Sequence, residues 1–421
     1  MIQRKHTGSA ALSRRSFLGG TGAATATIAT SPAWLAPGAR AAGGGQRDLL
    51  LYVFLRGGMD ALTMFPPYAD GDLYVQRPSL AIPPPGQASG AIDLDGFFGL
   101  APAAAALYPA FADGNLAVVQ AAGSTDPSRS HFDAMKFIET ATPGMPGVLV
   151  DSGWLGRHML SIPPVGAGDL RGLAISSTLP LTLAGAPNVM PTYDPKGVDF
   201  YGHGHTADLR RSAIEAMYAN VPAPTGPAAL SSLASIDLLQ GLDLANYTPA
   251  NGAAYPESEF GDRLAQVAAI LKGDIGIETI ELDYGGWDDH DDLGPQTGNM
   301  AARMADFADS LHAFYTDVAG ELDRVTVVVQ SEFGRRVDEN GSAGTDHGRA
   351  GAMLVLGGNV NGGQVYGNWP GLGPSELDDF AVAVTTDYRD VLAEVLVDRH
   401  DSVNPADIFL GYTPVPLGIT S

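Results

Sequence analysis

The segment 283–292 concentrates side chains that could bind a metal ion. It contains five aspartates and one histidine, and Asp288 and His290 stand near its centre. Carboxylates at this density repel one another unless they are solvated or bound to a cation. The segment therefore indicates a metal site, with a solvated acidic loop as the alternative.

A second segment of the same kind begins at Glu332, directly after an apolar run. A polar loop leads from Glu332 to Asp346 and His347, which are flanked by glycines. The chain has no cysteine, so any metal must be held by oxygen and imidazole ligands. Mixed ligation of this type suits Zn, Mn, Mg or Ca, and we predict a divalent metal as the cofactor.

Ser130 and His131 follow a Ser- and Pro-containing segment and precede an amphipathic stretch. A serine at this place is a good helix cap. The same hydroxyl would also lie in the positive field of a helix N-terminus, which favours phosphate or sulfate, with His131 beside it. Both interpretations stay open at the level of the residues.

The segment 55–60 joins an apolar run to a polar turn. Two glycines, Gly57 and Gly58, allow a tight turn that lets Asp60 project over the edge of a sheet or cap a short helix. Arg56 could bind an anionic substrate group or pair with Asp60.

Short apolar runs alternate with amphipathic stretches along the chain, and these elements must position the polar residues. The apolar runs are Leu49–Leu55, Leu116–Gln120, Leu173–Ser176, Ile277–Leu282, Val325–Val329 and Met353–Leu356. The amphipathic stretches are Ser130–Glu139, Trp154–Leu160, Ala207–Ala219, Asp262–Leu271, Met300–Leu322 and Tyr388–Val397. This alternation predicts an α/β fold with a mostly parallel central sheet and helices on both faces. Ligand sites in such sheets lie beyond the carboxyl ends of the strands, where the candidate residues occur.

The N-terminal segment has the features of a twin-arginine signal peptide. Arg14 and Arg15 precede a mildly apolar, uncharged stretch, and an Ala-x-Ala pattern ends at Ala41. We therefore expect residues 1–41 to be removed on export to the periplasm or the medium, with the twin-arginine translocon as a partner. The remaining residues, 42–421, show no internal repeat or long linker and are expected to form one domain.

The charge of the chain limits its partners. Removal of the signal takes away five basic residues and no acidic one, which changes the formal net charge from −23 to −28. Nucleic acid and anionic membranes are poor partners for such a surface. No stretch is long and apolar enough to be a stable membrane anchor, so none is expected.

Several motifs together resemble a bacterial family of twin-arginine-exported proteins, domain of unknown function 1501, in the alkaline phosphatase and sulfatase superfamily. The resemblance extends over nearly all of 42–421. It rests on the segments 54–60, 129–132, 153–157, 286–290, 331–335, 344–348 and 362–367.

The resemblance implies an alkaline phosphatase-like three-layer sandwich and a role for each candidate residue. It implies a metal shell of Asp288, His290, Glu332, Asp346 and His347, with Asp60 as an extra ligand. It also implies Ser130 as the nucleophile, with Arg56 or His131 neutralising charge on the transferred group. The superfamily usually has an Asp ligand at the end of the first strand, where this chain has Arg56, so fewer than two full metal sites are expected.

These observations lead to an exported, metal-dependent hydrolase of phosphate or sulfate esters as the first hypothesis. Its substrate would be a small-molecule or polymer ester. The alternatives keep the fold without turnover: a metal-stabilised binding protein, or an assembly component that works with a second exported protein. Family membership by itself does not establish turnover.

Overall fold

The computed structural model describes residues 47–145, 150–164, 169–199, 204–402 and 404–420. All of them lie in one compact unit, Gly43–Ser421. The expected signal peptide, 1–41, lies outside the described residues and stays a prediction. Within the described part of the chain, no helix combines the length and the apolar character needed to cross a membrane.

A sheet of nine strands, all in the described residues, forms the centre of the fold, and two small hairpins lie outside it. The order in the sheet is β10-β4-β9-β8-β1-β7-β5-β6, and β13 pairs with β4. The strands are β1 (Leu49–Leu55), β2 (Ile92–Asp93), β3 (Gly99–Leu100), β4 (Leu116–Gly123), β5 (Gly172–Ile175), β6 (Val189–Pro191), β7 (Thr279–Tyr284), β8 (Val325–Ser331), β9 (Gly351–Gly357), β10 (Val365–Tyr366), β11 (Leu377–Asp378), β12 (Ala381–Val382) and β13 (Thr386–Asp387).

Helices cover both faces of this sheet. The helices are α1 (Ala61–Met64), α2 (Asp72–Gln76), α3 (Tyr108–Ala112), α4 (His131–Thr140), α5 (Trp154–Ser161), α6 (Ala207–Tyr218), α7 (Thr225–Gln240), α8 (Glu259–Gly273), α9 (Asn299–Asp317) and α10 (Tyr388–Arg399). Every residue of β1 is buried, as expected of a strand covered on both sides.

Alternate residues of β1 enter two separate cores. Leu51 and Val53 pack with α8 and α9 on one face. Tyr52 and Phe54 pack with α4, α5 and α10 on the other. The predicted mostly parallel sheet between two helical layers is therefore confirmed.

The carboxyl ends of three parallel strands are level at one edge of the sheet. Leu55 at the end of β1 pairs with Tyr284 of β7 and with Ser331 of β8. The strand β9 is antiparallel to both β4 and β8, so its amino end lies at the same edge. The loops after β1, β4, β7 and β8 consequently meet there, and each carries predicted site residues.

Two details differ from the sequence-based expectation. The apolar run that forms β9 is antiparallel to its neighbours, because it follows β8 through a loop that contains no crossover helix. The amphipathic stretch Met300–Leu322 was expected to be one helix, but α9 ends at Asp317 and a separate 3-10 turn occupies Leu322–Arg324.

Candidate metal centre

Loops from four strands converge at the carboxyl edge of the sheet, and the turn after β1 makes this possible. Gly57 has a φ of +124°, and a Cβ atom there would lie 2.7 Å from the backbone nitrogen of Asp288. Only glycine permits this approach of the two loops. In return, the Gly57 N–H donates to Glu332 Oε1 at 2.9 Å, which joins the β1 and β8 loops.

Three imidazole nitrogens and one carboxylate meet in this convergence. His347 Nε2 lies 2.9 Å from His131 Nε2 and 2.9 Å from His290 Nε2. Asp288 Oδ1 lies 3.0 Å from both His347 Nε2 and His290 Nε2, and its Oδ2 atom lies 3.3 Å from His131 Nε2. Donor atoms of His131, Asp288 and His347 lie within 4.8 Å of one another, close enough to hold one metal ion.

The other ring nitrogen of each histidine is held by an acceptor. His131 Nδ1 lies 2.6 Å from Glu332 Oε1, and His290 Nδ1 lies 3.0 Å from Asp346 Oδ1. His347 Nδ1 lies 2.8 Å from the carbonyl oxygen of Arg129, which can only accept. Each Nδ1 therefore carries the proton, and each neutral ring turns its Nε2 lone pair toward the other rings.

Lone pairs at this separation repel one another unless a cation lies among them. The positive charge comes either from additional protons on the imidazole rings or from a metal ion. Burial lowers the pKa of His347, although a hydrogen bond from a protonated Nε2 to Asp288 opposes the shift, so protonation of this central ring is disfavoured. The residues therefore fit a metal ion, and outer acceptors that fix the Nδ1 protons are what metal-ligating histidines require.

The charges of the cluster agree with this fit. Asp288, Glu332 and Asp346 contribute three carboxylates, and Arg335 contributes one guanidinium group. With neutral histidines the cluster has a formal charge of −2, which a divalent ion would neutralise. The set of imidazole and carboxylate donors suits zinc best among the metals expected from the sequence.

Arg335 holds the loops in place beneath Asp288. Its buried guanidinium group donates to Asp288 Oδ1 at 2.6 Å, to the carbonyl oxygens of Gly58 and Thr345 at 2.6 and 2.9 Å, and to that of Trp287 at 3.0 Å. Burial alone would raise the pKa of Asp288, but hydrogen bonds with Arg335 and His347 lower it to about 2. Asp288 is thus a permanent anion at neutral pH.

Phe333 packs under the histidines and orients their rings. Its ring centroid lies 4.9 Å from that of His131 and 4.9 Å from that of His347. The hydrogen bond to Glu332 raises the pKa of His131, against the opposing effect of burial. His131 therefore takes a proton more readily than His347 when no metal is bound.

Six of the predicted site residues thus lie in one hydrogen-bonded cluster. Four of them face one another, and the other two lie behind them. The four that face one another are His131, Asp288, His290 and His347. Glu332 and Asp346, which the sequence suggested as ligands, instead accept from the far nitrogens of His131 and His290. His131, suggested as a charge-neutralising residue, lies among the donor atoms.

Asp60 and Arg56 lie outside this cluster. Both oxygens of Asp60 accept from Arg77 Nη1 at 2.9 Å, and Asp60 Oδ1 also caps α1 by accepting from Thr63 N at 3.1 Å. Arg56 pairs with Glu139 and Asp283, each at 2.7 Å, instead of with Asp60. Their side chains are therefore already engaged in ion pairs within the fold.

Ser130 occupies the N-cap position of α4, next to His131, but its side chain makes no capping hydrogen bond. The residue is exposed at the protein surface. Its hydroxyl is thus uncommitted at the positive end of a helix, one residue from a donor of the metal centre.

Sequence reasoning missed Arg129, Arg335 and Phe333 as residues that shape the site. Arg129 acts through its main-chain carbonyl, for which no side-chain signal exists. Arg335 and Phe333 follow Glu332 within the motif 331–335, and an arginine so soon after an apolar run, in a chain with two acidic candidate loops, was the signal that could have identified the first of them.

The family comparison bears on the segment that carries most of these residues. Residues 247–406 match a family model described as "Protein of unknown function (DUF1501)". The predicted resemblance to this family is confirmed over that segment. It includes Asp288, His290, Glu332, Asp346 and His347, whereas Ser130 and His131 lie before it. A comparison with curated proteins finds no match.

Solved structures of other proteins are similar to the chain at low identity. A protein in the alkaline phosphatase superfamily from Vibrio parahaemolyticus matches with 11% identity and a TM-score of 0.31 over 75% of this chain and 61% of its own. The C-terminal periplasmic domain of EcEptC from Escherichia coli, solved as a complex with Zn, matches with 10% identity and a TM-score of 0.33 over 75% and 74%. The PsFucS1 sulfatase from Pseudoalteromonas sp. matches with 12% identity and a TM-score of 0.34 over 90% and 74%. At these values the likenesses transfer no residue role or activity to this chain.

Proposed function

We propose that the protein is a zinc-dependent hydrolase of phosphate or sulfate esters, exported through the twin-arginine route. The observation that carries this proposal is the convergence of His131, His290 and His347 on Asp288, with each Nδ1 atom held by an acceptor. When bound, the metal would polarise the ester and lower the pKa of a nearby hydroxyl group.

The residues around the centre favour an anionic substrate. The helix α4 begins at His131, and the Ser130 side chain leaves the N–H groups of its first turn uncapped. Those groups and the helix dipole attract phosphate or sulfate. Asp133 lies in the same first turn, so the attraction for an anion would come from the N–H groups of the helix end together with the bound metal.

Ser130 is the proposed nucleophile because its hydroxyl is exposed and uncapped beside His131. Its Oγ atom would form a bond to phosphorus or sulfur while the bond to the leaving alcohol breaks. The hydroxyl proton ends on the alcohol. Water then removes the group from Ser130 and restores the free serine.

The alternative is a metal-stabilised protein that binds its target, or assembles with a second exported protein, without turnover. One observation favours it: His290 Nε2 lies 2.9 Å from His347 Nε2, so it would add a fourth protein donor to the group of His131, Asp288 and His347, and four is the number typical of closed structural zinc sites. Asp288 distinguishes the hydrolase from the binding protein. Its side chain is 44% exposed, so a substrate could replace it as a metal ligand in a hydrolase.

The test combines metal content with turnover. The protein is purified from its own compartment, its metals are measured, and the zinc-loaded protein is assayed with 4-nitrophenyl phosphate and 4-nitrophenyl sulfate. We expect about one zinc per chain and hydrolysis of one ester, both lost in His347→Ala. Full zinc occupancy without turnover of any ester would favour the binding protein, and absence of metal would contradict both.

A further inference from the structure

Two large aromatic side chains near the metal centre are exposed to solvent. Phe132 is 89% exposed and Phe380 is 57% exposed. Each exposed ring of this size keeps apolar area in water that folding would otherwise remove. Phe333, in contrast, is buried under the histidine rings.

Phe132 is the second residue of α4 and directly follows His131. Consecutive Cα atoms lie about 3.8 Å apart and side chains one position apart on a helix diverge by about 100°, so the ring of Phe132 flanks His131 and does not stack on it. Further along α4, Ala134 and Phe137 turn into the core, whereas Phe132 turns outward. The helix therefore presents one donor of the centre and one exposed ring in its first turn.

Phe380 lies in an unusual turn. The hairpin of β11 and β12 has a two-residue loop, Asp379 and Phe380, with φ values of +49° and +64°. This turn favours Gly or Asn at both positions, and a bulky side chain is disfavoured there. Burial does not compensate, because the ring rests on Arg336 at 4.5 Å and remains more than half exposed.

Two connections place this hairpin beside the metal centre. Arg129, whose carbonyl oxygen accepts from His347, donates from Nη2 to the carbonyl oxygen of Asp379 at 2.8 Å. In addition, the backbone of His347 forms an antiparallel β-bridge with that of Arg335. Arg336, the residue after Arg335, forms a second antiparallel β-bridge with Ala381. Each β-bridge joins two neighbouring extended segments, which lie about 5 Å apart. Two such steps give a separation of roughly 10 Å between the backbone of His347 and that of the hairpin.

We propose that Phe132 and Phe380 form an aromatic rim that binds the organic part of the substrate by contact with a ring. The substrate class is then a phosphate or sulfate ester carried on a ring with an apolar face, such as an aryl group or a sugar. The proposal rests on the function proposed above. It adds that small alkyl esters, which cannot reach the rim from the metal, are poor substrates.

Binding of unreactive analogues tests the rim without requiring turnover. Calorimetry on the zinc-loaded full chain compares phenylphosphonate with methylphosphonate, and benzenesulfonate with methanesulfonate. In whichever pair binds, phosphonates or sulfonates, we expect the phenyl compound to bind roughly tenfold more tightly than the methyl compound. A factor of about ten in affinity is what an aromatic contact typically contributes. The preference should fall to about twofold or less in the double variant Phe132→Ala/Phe380→Ala.

The variant Phe380→Gly separates a binding role from a structural one. Glycine suits the positive φ of this turn, so the melting temperature should stay the same or rise while the preference for the ring-bearing ligand falls. A lower melting temperature with an unchanged ligand preference would show that Phe380 serves the hairpin and would overturn its place in the rim.

The control is Leu209→Ala, which removes another exposed apolar side chain, 73% exposed, from α6. It should leave the ligand preference unchanged. Equal binding of ring-bearing and methyl ligands to the wild-type protein would overturn the rim and leave the proposed function standing. Failure of every phosphonate and sulfonate to bind the zinc-loaded protein would overturn both.

Discussion

The Nε2 atoms of His131 and His347 lie 2.9 Å apart although the two residues are 216 positions apart in the chain. The Nδ1 atoms of the same rings face Glu332 and the carbonyl oxygen of Arg129. The fold therefore holds two nitrogen lone pairs against each other from distant parts of the sequence. An arrangement of this kind is stable with a cation between the rings and strained without one.

Asp288→Asn should abolish stabilisation by zinc. The wild-type melting temperature should rise when zinc is added in excess, because a ligand that binds only the folded state adds RT ln(1 + [L]/Kd) to stability, about 2.7 kcal/mol at a hundredfold excess over Kd. Asp291→Asn, in the same acidic segment but without a place in the cluster, is the matched control and should retain the shift. Equal shifts in both variants would show that Asp288 is not a ligand.

Glu332→Gln should weaken zinc binding by about 10-fold, the low end of the usual cost of changing an outer acceptor. An amide oxygen in the place of Oε1 still accepts from both Gly57 N and His131 Nδ1, but it is a weaker acceptor than a carboxylate oxygen and carries no charge to make His131 a stronger donor. Competition with a chelator measures the affinity. A loss as complete as that of His347→Ala would make Glu332 a direct ligand, as the sequence suggested.

The sheet and the edge that carries the site could be predicted because burial on both faces produces uninterrupted apolar runs. The run Leu49–Leu55 coincides with β1, and polar residues directly follow the strands β1, β7 and β8. Any parallel sheet brings such residues to one edge. Local sequence therefore determines which loops meet.

The division of the cluster into donors and outer acceptors could not be predicted, because it depends on side-chain direction. Glu332 and His131 offer equally suitable metal-binding atoms, and only their contact in three dimensions shows that the imidazole faces the cluster while the carboxylate lies behind it. The ion pair of Asp60 could not be predicted either. Its partner, Arg77, lies 17 residues away, and no local sequence pattern connects the two residues.

Ser130→Ala should reduce ester hydrolysis by a factor of about 10³ or more while zinc affinity and melting temperature stay unchanged, because a nucleophile acts only in the chemical step. The Ser130 side chain makes no capping hydrogen bond, so its removal should not destabilise α4. Activity within tenfold of wild type would assign the attacking oxygen to water instead.

Replacing Arg14 and Arg15 together by Lys should leave unprocessed precursor in the cytoplasm, because the translocon recognises the paired guanidinium groups and not charge alone. Fractionation and immunoblotting measure the distribution. Arg4→Lys, outside the pair, is the control and should be exported normally. Normal export of the double variant would rule out the twin-arginine route.

Glu281→Gln should stabilise the protein increasingly as pH rises above the ordinary pKa of a glutamate, about 4.3. Glu281 lies on β7 opposite Tyr52, is 1% exposed, and neither of its oxygens has a hydrogen-bond partner among the described residues. Burial raises its pKa well above the ordinary value and the nearby carboxylates of Asp283 and Glu139 raise it further, whereas Arg56 and the nearby hydroxyl of Thr182, which is outside hydrogen-bond geometry, oppose the shift. Below the pKa of the unfolded chain, Glu281 is protonated in both states and its ionisation costs no stability.

Above that pH the unfolded chain ionises first, so the wild-type protein loses stability until the folded pKa is passed. A pKa difference of one between the two states corresponds to about 1.4 kcal/mol of this loss. The neutral amide of the Glu281→Gln variant avoids it. Melting curves from pH 4 to pH 8 should therefore diverge between wild type and Glu281→Gln, whereas Glu257→Gln, which changes an exposed carboxylate, should run parallel to wild type. Parallel curves for both variants would mean that Glu281 is solvated in the folded state and ionises freely.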